Sequence, residues 1–349
     1  MFKNLVKSQF GRYSFEIHNI DLSVVNAIRR VILTDIPNVA FRADPSSLEV
    51  LKNTGPLHNE FMLHRMSMIP IHLTEEQVDN WQEDDMTFEL DVKNPGEVVK
   101  NITTQDITVT KGGAGGSETP ISAKTLFPLT TVTSPPSGIL ITRLRPKEEL
   151  HIKGHAVKGT ARENAGFSPV SLCTYSFIVD PTLAAAAQTI LDKERAYVRN
   201  EYGDATSFNF DLESECALTP SYIVDVAFGI ILSKLTTVMV ELNTDGSKKV
   251  TIETVPNGTT FTFANEDDTL GNLLQSTMHN YYVREKHQTD VTYVGYFCPH
   301  PLELKMVLTI HGADPVKSLI ESCKRIEKTV TDAREAWARF SGKSNPNIV

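Results

Sequence analysis

DLSVVNAIRRVILTDIPNVAF, residues 21–41, is the stretch on which the fold turns. Asp21 or Ser23 can cap a helix and Pro37 cannot continue one, so the spacing predicts a helix to about Asp35. Val24, Ile28, Val31 and Ile32 form one apolar stripe, while Asn26, Arg29 and Arg30 gather on another face. Two adjacent arginines on an otherwise apolar helix offer rigid donor forks to carboxylates or backbone carbonyls. A solvated helix edge and a phosphate site are the other readings of the same pair. NVAFR then reads as a short strand, and upstream YSFEIHNI alternates Tyr13, Phe15 and Ile17 with polar residues, as a half-buried strand does.

Working outward, NTGPLHNEFMLHRMSMIPIHL at 53–73 predicts a second helix. Thr54 or Asn53 would cap it, Pro56 would sit in its first turn, and Pro70 would stop it. Arg65, beside the bend at MSMIP, offers a surface like that of Arg29 and Arg30. Eight acidic residues between Glu75 and Asp91 then run without a Lys or Arg, a solvated face or a docking surface. From about 86 to 180 the pattern is short strands: MTFELDV, ITTQDITVT, GILITRL, ELHIKGHAVKG and SLCTYSFIV. GGAGG at 112–116 and SPPSG at 134–138 separate them as loop material. Residues 181–200 mix alanine with charge in a helical manner, and FNFDLES returns to strand alternation.

The remainder follows one plan. Thr219 caps and Pro220 opens a helix with Ile223, Ala227, Ile230, Ile231 and Leu235 along its stripe. A break at NTDGSKK precedes two strands joined by Pro256-Asn257-Gly258. Asp268 or Thr269 starts another helix, and VTYVGYF and LELKMVLTIHG are strands. Pro315 opens a last helix with Ile320, Cys323, Val330 and Trp337 on one side. So long a stripe needs a long helix across from it, and 219–240 is the candidate to pack against 315–340. The economical reading is a pseudo-two-fold pair: residues 1–45 with 200–240, and residues 245–349.

The 349 residues carry 34 Lys plus Arg against 43 Asp plus Glu, a net charge of -9 that disfavours a dedicated nucleic-acid binder. Hydrophobic content of 40% is a globular value, enough for two or three domains. No apolar run approaches 18 residues and no secretory signal opens the chain, so the expectation is a soluble intracellular protein without a membrane span. The four cysteines include no close pair of the zinc or redox kind. GGAGG lacks the Gly-Lys-Ser/Thr of a phosphate loop. His58, His64 and His72 make no H-E-x-x-H, and no Gly-x-Ser-x-Gly elbow occurs. No catalytic or metal-ligating set is therefore assigned.

The residues around Arg29 and Arg30 also carry a likeness. DLSVVNAIRRVILTDIPNVAF and NTGPLHNEFMLHRMSMIPI resemble the third subunit of eukaryotic RNA polymerase II and its archaeal D-type counterpart, and more distantly the bacterial alpha subunit's amino-terminal domain. LRPKEELHIKGHAVKGTARENAGFSPV resembles the insertion domain of that family. EDDTLGNLLQSTMHN and VGYFCPHPLELKMVLTI resemble the eleventh, L-type subunit, through Thr269, Leu270, Gly271 and Asn272 and through Pro299, His300 and Pro301. Both sets in one chain look like the fused subunit of some large DNA viruses, with the joint near 243–248.

The resemblance implies an α+β fold of two alpha-like dimerisation domains fused as a pseudo-heterodimer around an inserted mostly-β domain. Its divisions would be 1–45, 46–180, 181–242 and 243–349, the first and third together making the third-subunit-like half. It implies a noncatalytic assembly subunit of DNA-directed RNA polymerase, one copy per complex. Asn26, Arg29, Arg30 and Arg65 would face a large subunit. The partners implied are the largest and second-largest subunits, which hold the catalytic magnesium, and small subunits resembling the tenth and twelfth. DNA and RNA are met only through the complex, with no membrane and no cofactor on this chain. The place implied is host cytoplasm or nucleus at viral transcription sites, or the virion. The insertion-domain metal cluster of many relatives is not expected, because Cys173 is the one cysteine there. The alternative is an α+β interaction scaffold outside transcription; an independent enzyme comes third.

Overall fold

The computed structural model describes residues 1–8, 12–82, 86–112, 119–130, 135–244, 249–285 and 291–342. Most of GGAGG, Ser134 of SPPSG, Glu83 to Asp85 of the acidic stretch and 245–248 of the joint lie outside the described residues. The chain opens with β1 (Phe2–Lys7), β2 (Arg12–His18), α1 (Leu22–Thr34), β3 (Asn38–Ala40) and β4 (Leu48–Asn53). Next come α2 (Asn59–Ser67), α3 (Glu75–Asp79), β5 (Met86–Lys93), β6 (Lys100–Thr103), β7 (Thr108–Lys111) and β8 (Thr119–Ile121). They lead to α4 (Ala123–Leu126), β9 (Leu140–Leu144), β10 (Glu149–His155), β11 (Val157–Gly159) and β12 (Val170–Phe177). The short α5 (Pro181–Ala186) and α6 (Ile190–Glu194) precede β13 (Ser207–Ser214) and α7 (Pro220–Leu242). The last stretch holds β14 (Val250–Val255), β15 (Gly258–Ala264), α8 (Asp268–Met278), β16 (Val291–Phe297), β17 (Lys305–Gly312) and α9 (Pro315–Ser341).

Two units divide these elements. The first takes Met1–Ile32, Leu172–Glu213 and the described residues from Ile223 onward. It holds two four-stranded sheets, one ordered β1-β2-β13-β12 and the other β14-β15-β17-β16. The orders are equivalent strand for strand. In each, a hairpin leads to a short helix (α1 or α8), and an inner strand (β13 or β17) leads to a long one (α7 or α9). Antiparallel registers such as Phe15 opposite Phe210 and Phe261 opposite Leu308 put large side chains on one face of each sheet. Phe208, Phe210, Phe261 and Phe263 are all buried there, each worth about 1.5–3 kcal/mol of transfer free energy.

The second unit, Leu33–Ser171 with Ser214–Tyr222, is built on the five-stranded sheet β4-β10-β5-β7-β8. Two-stranded ribbons β3-β11 and β6-β9 complete it. Phe41, Phe88 and Phe127 stack edge-on in its core, with centroids 4.9 and 6.2 Å apart. Gly154 in β10 is forced, because a Cβ there would stand 2.0 Å from the Ser47 carbonyl oxygen. The fold is therefore α+β, two equivalent sheet-and-helix halves plus a β-rich insertion.

The structure departs from the reading of the sequence at α2, β1, β4 and α7. Helix α2 starts at Asn59 with His58 at its N-cap, not at Asn53 or Thr54. The Asn53 side chain instead closes a turn, accepting from Gly55 N at 2.9 Å and donating to Leu57 O at 2.8 Å. Strands β1 and β4 had no signal, because β1 exposes most of its residues and shows no period-two pattern. Helix α7, finally, is by length and composition apolar enough to cross a membrane, which the criterion of an uninterrupted apolar run does not register. Of its three charges, Asp225 and Lys234 are paired within the unit, and its Ile223, Ala227, Ile231 and Leu235 are buried.

Candidate functional site

The first unit is organised around the antiparallel pair α1 and α8. Asp21 caps α1 by accepting from Ser23 N at 2.8 Å, and Asp267 caps α8 by accepting from Thr269 N at 2.9 Å. Counted from these caps, Ser23 matches Thr269 and Asn26 matches Asn272. Each capping carboxylate also crosses to the other helix. Asp21 accepts from Asn280 at 2.9 Å and from Ser276 at 3.4 Å. Asp267 lies 3.7 Å from the Arg30 guanidinium, whose Nε donates to Thr269 Oγ1 at 2.9 Å. Arg30 and Ser276 occupy matching positions, so the two locks are one arrangement repeated about a pseudo-two-fold axis.

This geometry separates the two arginines. Arg30 joins one half of the unit to the other. Arg29 has a local partner, donating from Nε to Asn26 Oδ1 at 3.0 Å. Behind it, Cys173 of β12 is buried with its thiol directed at Arg29 O at 3.8 Å, and burial pushes that thiol up to about 12. Leu22, Asn26, Arg29, Arg30 and Leu33 form the half-exposed stripe of α1; Asn272, Gln275, Ser276 and His279 form the matching stripe of α8. Beside α8 opens a cleft of about 400 Å³, walled by Phe177 and Tyr197 and crossed by the Asp204–Arg284 ion pair. Arg65 lies in the second unit, where it donates to Ile141 O at 2.7 Å and Leu140 O at 2.9 Å and so holds β9 to α2.

The motif residues of the second half have local physical reasons. Leu270 is buried, and Gly271 cannot carry a side chain, since a Cβ would meet the Tyr296 ring at 2.4 Å. Pro299, His300 and Pro301 are exposed in the turn after β16, where His300 Nδ1 accepts from Leu302 N at 3.1 Å. The long helices meet at one crossing. Arg334 of α9 forks onto Asp225 of α7 at 2.8 and 3.0 Å, with Gly229 beneath the guanidinium. Cys323, Val330 and Trp337 are buried and Ile320 is half-buried, as is Ile230 across from them in sequence plan.

Beyond the crossing each long helix reaches the other half's sheet. Trp337 of α9 packs on Phe15 of β2 at 4.8 Å and on Phe2 of β1 at 5.2 Å. Lys234 of α7 pairs with Glu266, after β15, at 3.0 Å. These reciprocal contacts, and the locks at Asp21 and Asp267, escaped the reading of the sequence; the repeated Asp-x-Ser/Thr-x-x-Asn pattern was their available signal. Among the described residues, no group of three His, Cys, Asp or Glu side chains is placed to hold a metal ion.

Comparison with known proteins agrees with the duplicated plan. A family model described as the RNA polymerase Rpb3/Rpb11 dimerisation domain matches residues 14–235, well over half of the chain. A second model of the same description matches residues 259–336. The human DNA-directed RNA polymerases I and III subunit RPAC1 is 29% identical over 191 residues, 48% of this chain and 52% of that protein. Its Saccharomyces cerevisiae namesake is 23% identical over 277 residues, 63% of this chain and 81% of that protein. The Schizosaccharomyces pombe DNA-directed RNA polymerase II subunit RPB3 is 30% identical over 179 residues, 47% of this chain and 55% of that protein. The chain spans about half the length of most of the curated relatives it matches. With two such domains, each built as hairpin, short helix, sheet and long helix, the chain belongs to the Rpb3/Rpb11-type RNA polymerase dimerisation-domain family.

Proposed function

We propose that this chain is a noncatalytic assembly subunit of a multisubunit DNA-directed RNA polymerase. It pairs its two halves internally, recruits the second-largest and then the largest subunit, and meets DNA and RNA only through them. The observation that carries this reading is the duplication itself, two equivalent halves locked through α1 and α8 within one unit. Two matches to the dimerisation-domain models fall in succession on this one chain, at residues 14–235 and 259–336. Joining partners in one chain replaces a bimolecular encounter by an intramolecular one at high effective concentration.

The half-exposed stripe with Asn26 and Arg29 is the proposed contact for the second-largest subunit. The stripe of Asn272 and Gln275 would face the other large subunit. Small partners resembling the tenth and twelfth subunits, an intracellular site of action, and a viral source belong to the same proposal; the last rests on the fused arrangement. The division into 1–45, 46–180, 181–242 and 243–349 is kept as the proposed evolutionary partition. In the test, Arg29→Ala together with Arg30→Ala keeps the circular dichroism spectrum and loses recovery of the second-largest subunit in a pull-down. Normal recovery by that variant would defeat the assigned contact.

A further inference from the structure

The locks at α1 and α8 do not decide which half pairs with which. Asp21 and Asp267 hold matching places, and each takes what the opposite short helix presents: Ser276 and Asn280 for one, Arg30 for the other. If two first halves met, Asp21 would find Arg30; if two second halves met, Asp267 would find Ser276 and Asn280. Either self-pair satisfies both locks, so the choice of partner lies elsewhere.

The long helices make that choice. Counted from Pro220 and Pro315, every buried residue of α7 from Ile223 onward falls on a buried residue of α9; Ile231, Leu235 and Leu242 match Ile326, Val330 and Trp337. The same count matches Asp225 to Ile320, Gly229 to Lys324 and Arg334 to Met239. The crossing of Asp225 with Arg334 is thus charged, while the matching positions hold Ile320 and Met239. Between two first halves each Asp225 would meet Met239, and within a turn of Met239 α7 carries no base and one acid, Glu241. Between two second halves each Arg334 would meet Ile320, with Lys324 in the place where Gly229 now makes room for the guanidinium. Glu321, beside Ile320, already accepts from the Tyr282 hydroxyl at 2.9 Å. A second ion pair between the halves repeats the pattern. Lys234 holds Glu266 at 3.0 Å, and the matching positions are Thr329 and Ile20.

We propose that this crossing fixes the pairing of the halves: it admits the complementary half and refuses a second copy of the same half. Partners of equal shape are told apart by an attraction in one combination and a half-buried charge without its partner in the other two. The need arises during synthesis, when the first halves of neighbouring chains fold before their second halves exist. The inference goes beyond the assembly role and stands on the duplication alone, whatever complex the chain enters.

The test uses the full chain with a protease site within residues 245–248, cut, unfolded in urea and refolded by dilution, its fragment pairs counted by native mass spectrometry. Expected are first–second pairs, with each self-pair below about one tenth of them. With Asp225→Leu and Arg334→Leu together, first–second pairs persist, because apolar groups replace both partners, and self-pairs rise about tenfold. On the uncut chain, which needs no re-pairing, Asp225→Arg lowers the urea midpoint and addition of Arg334→Asp restores it. Wild-type self-pairs as common as first–second pairs, self-pairs equally rare in the doubly apolar chain, failure of the cut wild-type chain to re-pair, or no recovery by the reversed pair would each overturn the device. The counts are made on this chain alone, so a missing polymerase partner, which defeats the assembly role, does not enter them.

Discussion

Arg29 and Arg30 are adjacent in sequence and differ in what holds them. Arg30 spends its guanidinium on Thr269 and Asp267, whereas Arg29 touches only Asn26 on its own helix. Arg30→Ala is therefore expected to lower stability by about 1 kcal/mol, and Arg29→Ala to stay within about 0.5 kcal/mol, in urea denaturation. Equal midpoints for the two variants would contradict the division. His72 sits in the second unit, held below the ordinary histidine value by burial, with Glu215 pulling weakly the other way. A depressed base favours the unfolded state once that state binds a proton. The stability His72 contributes is thus complete above about pH 6.5 and lost as the pH falls below it. His72→Gln should flatten the denaturation midpoint between about pH 5 and 7; an unchanged slope would refute this. The sequence showed that Arg29, Arg30 and Asn26 share a face. It could not show that Thr269 lies across from Arg30, because that contact joins residues 239 positions apart.

At the scale of elements, periodicity carried the reading where helices are long and failed where strands are exposed. The stripe of α9 from Leu319 to Trp337 was legible because each position is buried at helical spacing. Strand β1 was not, and so the seat of Trp337 on Phe2 and Phe15 was missed. That seat is where α9 fastens onto the first half. Trp337→Ala is expected to cost about 3–5 kcal/mol and to loosen the two halves together; thermal unfolding with intact cooperativity and unchanged midpoint would contradict it. Gly271→Ala should also destabilise, since the Tyr296 ring occupies the space of a Cβ.

For the whole molecule, the sequence disclosed two alpha-like halves and a β-rich insertion because alternating strand, short helix, sheet and long helix recur in the two blocks. It did not disclose that each long helix extends to the sheet of the other half, since only the crossing at Asp225 and Arg334 and the reach of Trp337 and Lys234 show it. That reciprocity should let the halves survive loss of their covalent joint. A protease site placed within residues 245–248, cut under native conditions, is expected to leave two fragments that elute together and separate only in denaturant. The most direct test of the account is native mass spectrometry of the complex purified through a tag on this chain. It should contain one copy of the chain with the two large polymerase subunits and no separate subunit of the third or eleventh type. Two copies of the chain, a separate pairing subunit, or the absence of the large subunits would contradict it.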